Sequence, residues 1–179
     1  MKQIKLFIIM GIVVVLGLCS TAAVAQNAVI QFSLDPTMLA NGPYADSDHG
    51  ELDFMIKGSK IFKENNEIGI FVEQFSAMNY TSAGFLYNRK VNIFPETSAM
   101  CESVETLFGI DAGAIKRDVE EEDGTYLTAG LNAEFRFLLS DKFGFNLTSN
   151  YRYRGDLANI YNDNSPFIFS GYVGVFYKL

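Results

Sequence analysis

A strict alternation of apolar and polar residues over long segments restricts the fold of this chain more than any other feature. From residue 127 to residue 139 every second side chain is apolar, whereas the alternate positions from 128 to 136 hold Thr, Gly, Asn, Glu and Arg. Residues 143–154 alternate in the same way, and Ser140 and Asp141 separate the two segments. A period of two is typical of β-strands with one apolar and one polar face. The sequence therefore predicts two long strands joined by a tight hairpin turn.

The same pattern predicts eight strands in all. We place them at residues 28–34, 51–62, 67–78, 82–94, 105–116, 125–139, 142–155 and 166–179. An even number of neighbouring antiparallel strands can close into an up-and-down barrel. If both chain termini lie at one end, that end carries the connections 63–66, 95–104 and 140–141, and the other carries 35–50, 79–81, 117–124 and 156–165. We therefore predict an all-β fold, an eight-stranded antiparallel up-and-down barrel.

The first 25 residues have the pattern of a secretory signal peptide. Lys2 and Lys5 precede an apolar run at residues 6–18, and small residues follow, with an A-x-A cleavage site at residues 23–25. The alternative is a lipoprotein signal ending at Cys19, but Leu18 stands where a small residue is normally required before a lipidated cysteine. We predict a cleaved signal peptide at 1–25 and a barrel domain at 26–179.

Composition and charge exclude several other classes of protein. Asp and Glu number 21 against 14 Lys and Arg, a net charge of −7, so the chain would repel a polyanion and we expect no nucleic-acid partner. After residue 25 no apolar run reaches the length of a membrane-spanning helix. Cys101 is the one cysteine beyond the predicted signal peptide, so disulfides cannot stabilise the exported chain.

The signal peptide, the long alternating strands, the acidic connections and the final segment SGYVGVFYKL together resemble the small outer-membrane β-barrel family of Gram-negative bacteria, the OmpA/OmpX-like barrels. The resemblance covers essentially all of residues 26–179. It implies a transmembrane barrel in the outer membrane, with membrane lipid and lipopolysaccharide as partners and a C-terminal strand read by the barrel insertion machinery. The family usually ends on an aromatic residue, whereas this chain ends on Leu179 with Tyr177 two positions before it.

Charged residues of both signs occupy the face opposite the apolar one. In an outer-membrane barrel this face points into the lumen, and eight strands leave an interior just wide enough for side chains. We therefore expect a structural network of paired charges that fills the lumen rather than a diffusion pore. Its predicted members are Glu51, Asp53, Lys57, Lys90, Asp111, Glu134, Arg136, Arg152 and Arg154.

A soluble barrel of the lipocalin type is the main alternative. Such a barrel shows the same alternation with its apolar face inward, where it binds an apolar ligand, and periodicity alone does not decide which face points inward. Charges of both signs in the middle of strands, and a last strand that runs to the terminus, favour the membrane barrel.

Catalysis and metal binding have little support in the sequence. His49 is the single histidine, beside Asp46, Ser47 and Asp48, and some eight-stranded barrels are lipid-modifying enzymes that use a His, a Ser and an acid. Proximity in sequence does not place a base within reach of a nucleophile. The acidic run at residues 118–123 lacks the ordered ligand pattern of a calcium loop, although divalent ions could bridge it to lipopolysaccharide. We expect no enzyme, cofactor or metal site.

The role predicted from these patterns is structural or adhesive. A rigid closed sheet would present its longer loops outside the cell, where binding residues tend to lie. A transporter of small solutes is a third class. The loop residues that we single out as candidates for contact with a surface partner are Tyr44, Asp46, Asp48, Tyr161, Asn162 and Asp163.

Overall fold

Eight β-strands and two short helices make up the part of the chain that the computed structural model describes, residues 27–42, 50–76, 79–95, 98, 103–118 and 124–179. The predicted signal peptide lies outside these residues. The strands are β1 (Ala28–Leu34), β2 (Asp53–Phe62), β3 (Asn66–Phe75), β4 (Tyr80–Lys90), β5 (Val104–Arg117), β6 (Gly124–Leu138), β7 (Phe143–Arg154) and β8 (Phe167–Lys178). The helices are α1 (Pro36–Asn41) and α2 (Gly155–Ile160).

The sheet closes on itself. Each strand pairs with its neighbours in sequence, and β8 returns to pair with β1 in an antiparallel register that runs from Val29↔Lys178 to Leu34↔Val173. The other seven pairs are antiparallel as well. A closed sheet has no edge strand with unpaired backbone groups. The predicted eight-stranded, antiparallel, up-and-down barrel is confirmed.

The connections divide between two ends of the barrel. One end, which we call the turn end, holds the start of β1, the end of β8 and the connections 63–65, 91–103 and 139–142. The opposite end, which we call the loop end, holds the connections 35–52, 76–79, 118–123 and 155–166. The first and last of these contain α1 and α2. The two ends therefore differ in the length and content of their connections, as the strand pattern predicts.

Helix α1 begins where the sequence offers a helix cap. The Asp35 side chain accepts hydrogen bonds from the backbone N–H groups of Thr37 and Met38 at 2.8 and 3.1 Å, and Pro36 occupies the first turn. Met38 then packs on an apolar cluster of Phe75, Tyr80 and Ile115 at the loop end. No helix in the described ranges is both long and apolar enough to span a bilayer.

Two strand ends differ from the sequence prediction by three residues or more. We expected β3 to reach residue 78, but it ends at Phe75 and the chain turns through Asn79, which has a left-handed φ of 45°. We expected β4 to reach residue 94, but its pairing with β5 stops at Lys90↔Leu107. One backbone hydrogen bond continues beyond Lys90, from the Val91 N–H to the Thr106 carbonyl at 2.8 Å, and the chain then leaves β5, which itself continues to Val104.

A pair of glycines makes room for a bulky side chain in the interior. Gly84 and Gly113 face each other across β4 and β5. A Cβ atom at Gly84 would lie 2.7 Å from the Cα atom of Gly113 and 2.8 Å from the Phe71 ring. Because such contacts are too close for any side chain, glycine is required where the Phe71 ring lies against the wall.

Candidate functional site

The two faces of the barrel wall have opposite chemical character. Large apolar side chains point outward, and Phe85, Leu127 and Phe169 each expose 70% or more of their surface (74%, 76% and 70%). The interior holds most of the buried charged residues, which are Asp53, Lys57, Glu67, Glu73, Asp111, Arg117, Glu134, Arg136, Arg152, Arg154 and Asp156. The charged face therefore points into the lumen, where its members meet in clusters.

Four charged side chains form what we call the turn-side cluster: Lys57, Glu67, Glu134 and Arg136. Arg136 donates to both carboxylate oxygens of Glu67, at 2.6 and 3.0 Å, and donates through Nε to Glu134. Lys57 Nζ lies 3.1 Å from the other oxygen of Glu134. Strands β2 and β6 stand four positions apart in the closed sheet, so the Lys57–Glu134 pair spans the lumen. With two cations and two carboxylates, the cluster is neutral.

A second group, which we call the loop-side cluster, contains Asp53, Glu73, Asp111, Arg152 and Tyr172. Arg152 forms ion pairs with Glu73 and, through Nε at 2.9 Å, with Asp111. The Tyr172 hydroxyl lies 3.1 Å from an oxygen of Glu73 and 3.4 Å from an oxygen of Asp53. A hydroxyl has one hydrogen, so it donates to one carboxylate at a time. This cluster holds one arginine for three carboxyl groups.

The third group, the mouth cluster, fixes helix α2 to the loop end of the barrel. Arg154 donates to both carboxylate oxygens of Asp156, at 2.8 and 2.7 Å. Arg117 on β5 reaches the same carboxylate at 3.2 Å and the Tyr161 hydroxyl at 3.4 Å. The Asp156 side chain is fully buried. Through its contacts with Arg117 of β5 and Arg154 of β7, it links these two strands at the start of the connection 155–166.

The turn end carries a smaller group that is more exposed to solvent. Glu105 lies 2.8 Å from Lys90 Nζ and 2.8 Å from Lys178 Nζ. The lysine side chains keep 34% and 20% of their surface exposed. Solvent weakens such pairs, so this group holds β4, β5 and β8 together less tightly than the buried clusters hold their strands.

Bulky side chains fill the space between the charged clusters. The arginine groups stack on aromatic rings: Arg152 lies 4.5 Å from the centre of the Phe71 ring, and Arg154 lies 4.2 Å from that of Tyr80. Phe71, Tyr80, Phe176, Met55 and Arg136 are among the largest fully buried side chains. In chemical terms, the paired charges link strands on opposite sides of the barrel. Among the described residues, no group of three or more His, Cys, Asp or Glu is arranged to hold a metal ion.

The structure brings most of the predicted lumen residues into the clusters. Lys57, Glu134 and Arg136 meet in the turn-side cluster; Asp53, Asp111 and Arg152 lie in the loop-side cluster; Arg154 is in the mouth cluster; and Lys90 is at the turn end. Glu51 is not in the lumen. It precedes β2, and its carboxylate accepts a hydrogen bond at 3.0 Å from the exposed hydroxyl of Ser76. We predicted a strand from residue 51, but β2 begins at Asp53.

Four charged members of the three clusters were not predicted. Glu67 and Glu73 lie on β3, whose lumen face also carries Phe71, so its two faces differ little in polarity. The alternation of these two glutamates with Ile68, Ile70 and Val72 was the available signal. Arg117 and Asp156 belong to positions that we assigned to connections. Outside a strand, the alternation of residues does not tell whether a side chain points into the lumen. Their pairing depends on how β5 and α2 meet in space.

The predicted loop candidates fall partly outside the described residues. Tyr44, Asp46 and Asp48 do so, as do His49, Cys101 and residues 119–123 of the acidic run. Tyr161, Asn162 and Asp163 are exposed in the connection after α2. Asp163 accepts a hydrogen bond from the Ser165 backbone at 2.8 Å, and Asn162 has a φ of 51°.

The lipocalin-like alternative requires a lumen lined by apolar side chains. In the structure, Leu127 and Leu131, which would line such a cavity, point outward and expose 76% and 61% of their surface. Phe145 is exposed on the same side. The interior positions beside them hold Asn132, Glu134 and Asn146, all buried. The described wall therefore forms no apolar cavity of this kind.

Comparison with known proteins identifies the fold. No protein-family model matches the chain, and no curated protein sequence is significantly similar to it. The crystal structure of Neisserial surface protein A (NspA) is similar, with a TM-score of 0.50, 13% identity, and coverage of 85% of this chain and 94% of that one. Outer membrane protein Ail of Yersinia pestis, solved in a phospholipid bilayer nanodisc, gives a TM-score of 0.52 at 13% identity, over 86% and 99% of the two chains. The resemblance seen in the sequence is therefore confirmed at the level of the fold.

Proposed function

We propose that this chain is a small outer-membrane β-barrel that does not catalyse a reaction and that presents its loop end outside the cell, as a structural or surface-interaction protein. One observation carries the proposal: the closed sheet has an apolar outer face and a charged, filled interior. Hydrocarbon offers no hydrogen bonds, so a sheet can cross a bilayer only when it is closed and its apolar side chains face outward. In water, the same outer face would be an apolar surface far larger than soluble proteins expose.

The charge network supports a structural role for the lumen. Its ion pairs join one strand to another, as Lys57–Glu134 and Arg152–Glu73 do. A network of this kind stabilises the closed wall and blocks a wide water-filled path, because eight strands leave room only for side chains. We therefore propose that function depends on the loops, with Tyr161, Asn162 and Asp163 as exposed candidates.

Export and assembly complete the proposal. The signal peptide at residues 1–25 would direct the chain across the inner membrane, and β8 would be the strand that the insertion machinery reads. Phe169, Val173 and Val175 of β8 lie on the outer face and are exposed, so the strand presents apolar side chains to lipid. Outer-membrane lipid and lipopolysaccharide would then surround the barrel. The fold likeness to NspA and Ail supports this location.

Fractionation of cells that express the full precursor tests the proposal first. We expect the protein in the outer membrane, with an electrophoretic mobility on a denaturing gel that changes when the sample is boiled, because a closed barrel resists the detergent until it is heated. Recovery of the protein in the soluble periplasmic fraction would overturn the proposal.

Arginine substitutions at two depths test whether the outer face contacts lipid. Leu131 lies in the middle of β6, and Leu139 follows the end of that strand; both are exposed. In a bilayer, arginine costs about 2–4 kcal/mol at the midplane and about 0–1 kcal/mol near the surface. We expect Leu131→Arg to lower the free energy of unfolding in phospholipid vesicles by the larger amount and Leu139→Arg by the smaller. Equal effects would show that the outer face is not immersed.

Cysteine labelling in intact cells tests which end faces outward. In a Cys101→Ser background, Asn162→Cys places a thiol at the loop end and Asp141→Cys places one at the turn end; both positions are exposed. We expect a membrane-impermeant maleimide to label Asn162→Cys in intact cells and Asp141→Cys only after lysis. The reverse pattern would reject the proposed orientation.

If replacement of residues 161–163 leaves surface attachment of the cells unchanged, a purely structural role is favoured.

A further inference from the structure

The outer wall at the turn end carries a cluster of exposed cations that the lumen network does not use. Lys60 on β2 and Arg89 on β4 both point outward, and Lys63 lies in the turn that follows β2. Lys60 stands opposite Ile68 of β3, and Arg89 stands opposite Asn66 of the same strand. One intervening strand therefore separates the two side chains. We call Lys60, Lys63 and Arg89 the basic patch.

The charge of the basic patch is not neutralised within the described part of the protein. None of its three members forms an ion pair with a described residue, and all three are exposed, unlike the lumen cations Lys57 and Arg136. Glu64, in the same turn, is the acidic neighbour in sequence, and Glu67 faces the lumen, where Arg136 binds it. The patch therefore keeps a net positive charge on the outer wall.

Aromatic and apolar side chains lie among the cations of the basic patch: Phe62 is level with Arg89, and Tyr87 is level with Lys60, on the same outer face. The rings of Phe62 and Tyr87 are 6.5 Å apart, and the Tyr87 hydroxyl donates to Asn66 at 2.7 Å. Ile68 and Phe85 continue this surface and are 53% and 74% exposed. Aromatic rings with a polar tip are enriched where hydrocarbon meets water, and lysine and arginine extend from there toward headgroups. The cations and aromatic rings lie at the turn end of the wall and Phe85 lies nearer its middle, which matches the order of headgroup and acyl chain in a phospholipid.

The loop end has the opposite charge. Its connections include the acidic run at residues 118–123 and Asp163, whereas Lys116 is an exposed cation on the outer wall there. The unpaired cations of the basic patch attract an anionic headgroup at the turn end. From this complementarity we propose that the basic patch binds the headgroup phosphate of an anionic phospholipid, in the leaflet that surrounds the turn end. This inference rests on the proposed membrane location of the barrel.

Native mass spectrometry of the detergent-purified full barrel tests the inference. The barrel is mixed with equal amounts of phosphatidylglycerol and phosphatidylcholine of the same chain length, and the lipid retained at rising collision energy is counted. Each cation near an anionic surface increases binding by about fivefold. We expect wild-type protein to prefer phosphatidylglycerol, and the triple variant Lys60→Gln, Lys63→Gln, Arg89→Gln to lose that preference by about tenfold or more.

Two control variants remove one exposed cation elsewhere. Lys142→Gln acts at the same end beside Asp141, and Lys116→Gln acts at the loop end; both should keep the wild-type preference. Arg89→Gln alone should lose about fivefold, which keeps the test valid if the triple variant does not fold. An unchanged preference in the triple variant or in Arg89→Gln, or an equal loss in the controls, would overturn the inference. If the protein is found in the outer membrane, changes mobility on heating and shows no lipid preference, only this inference is rejected. If it is recovered as a soluble periplasmic protein, the proposed function is rejected too.

Discussion

The turn-side and loop-side clusters lie in the same lumen but differ in charge balance. In the turn-side cluster Arg136 binds Glu67 and Glu134, and Lys57 completes the set, so each carboxylate meets a cation. In the loop-side cluster Arg152 serves Glu73 and Asp111, and Asp53 contacts the Tyr172 hydroxyl without a cation within ion-pair distance among the described residues. A buried charge is stabilised only when it is paired and hydrogen-bonded. The comparison therefore predicts that similar substitutions change the free energy of unfolding differently in the two clusters.

Removal of Arg136 should have the largest effect. Arg136→Met leaves Glu67 without an ion-pair partner and Glu134 with Lys57 alone, all of them buried. Breaking a buried ion pair on one side costs about 3–5 kcal/mol, and here one arginine serves two carboxylates. We expect a loss of at least about 4 kcal/mol in the free energy of unfolding, measured by urea titration of the barrel in phospholipid vesicles. Lys116→Met, an exposed position, is the control and should change stability by less than about 0.5 kcal/mol.

Removal of the Glu134 charge should have an intermediate effect. Glu134→Gln leaves Lys57 buried without its carboxylate, while Arg136 keeps Glu67. We expect a loss of about 3 kcal/mol in the same titration. Glu105→Gln is the matched control, because its two lysine partners are partly exposed and such pairs contribute about 0–1 kcal/mol. Similar losses in the two variants would mean that burial does not distinguish the turn-side cluster from the exposed rim.

Neutralising Asp53 should have the smallest effect, and in the opposite direction. Asp53→Asn removes a carboxyl group that faces Glu73 across the Tyr172 hydroxyl and has no described ion-pair partner. The asparagine amide can still bond to the hydroxyl, so we expect stability to stay unchanged or to rise by up to about 1 kcal/mol. A loss as large as that of Glu134→Gln would show that the two clusters do not differ as described.

The barrel was largely predictable because each long strand separates its apolar and polar residues. The segment 125–139 predicts β6 to within one residue at each end, and 28–34 coincides with β1. The prediction was less accurate at β4, where apolar residues continue beyond the last paired residue, Lys90. Alternation reports the environment of side chains, whereas a strand ends where its backbone leaves the ladder, and β4 leaves it although β5 continues to Val104. The helical turn of α1 was also missed, although Asp35 followed by Pro36 is a readable cap signal.

The charge network was predictable in kind but not in its pairs. Residues such as Lys57, Glu134 and Arg136 could be assigned to one face by counting along each strand. The Lys57–Glu134 contact joins residues 77 positions apart, on strands four places apart in the closed sheet. Such a contact depends on closure, register and the tilt of the wall, none of which is encoded in the local pattern. Arg117 and Asp156 were missed for the same reason, since a strand end meets a helix only in the folded barrel.

The sequence by itself determined that the chain forms long two-faced strands, because side chains alternate across a strand and the residues alternate with them. It did not determine which face points inward, since the same alternation suits an apolar lumen or an apolar exterior. The tertiary structure decided this point. Closure turned Glu134 and Arg136 inward and left Leu127 and Leu131 outside, because Glu134 meets Lys57 and Arg136 meets Glu67 on distant strands of the wall. The lumen charges are paired within the barrel, whereas the apolar side chains of the outer face stay exposed and are not covered by any described part of the chain.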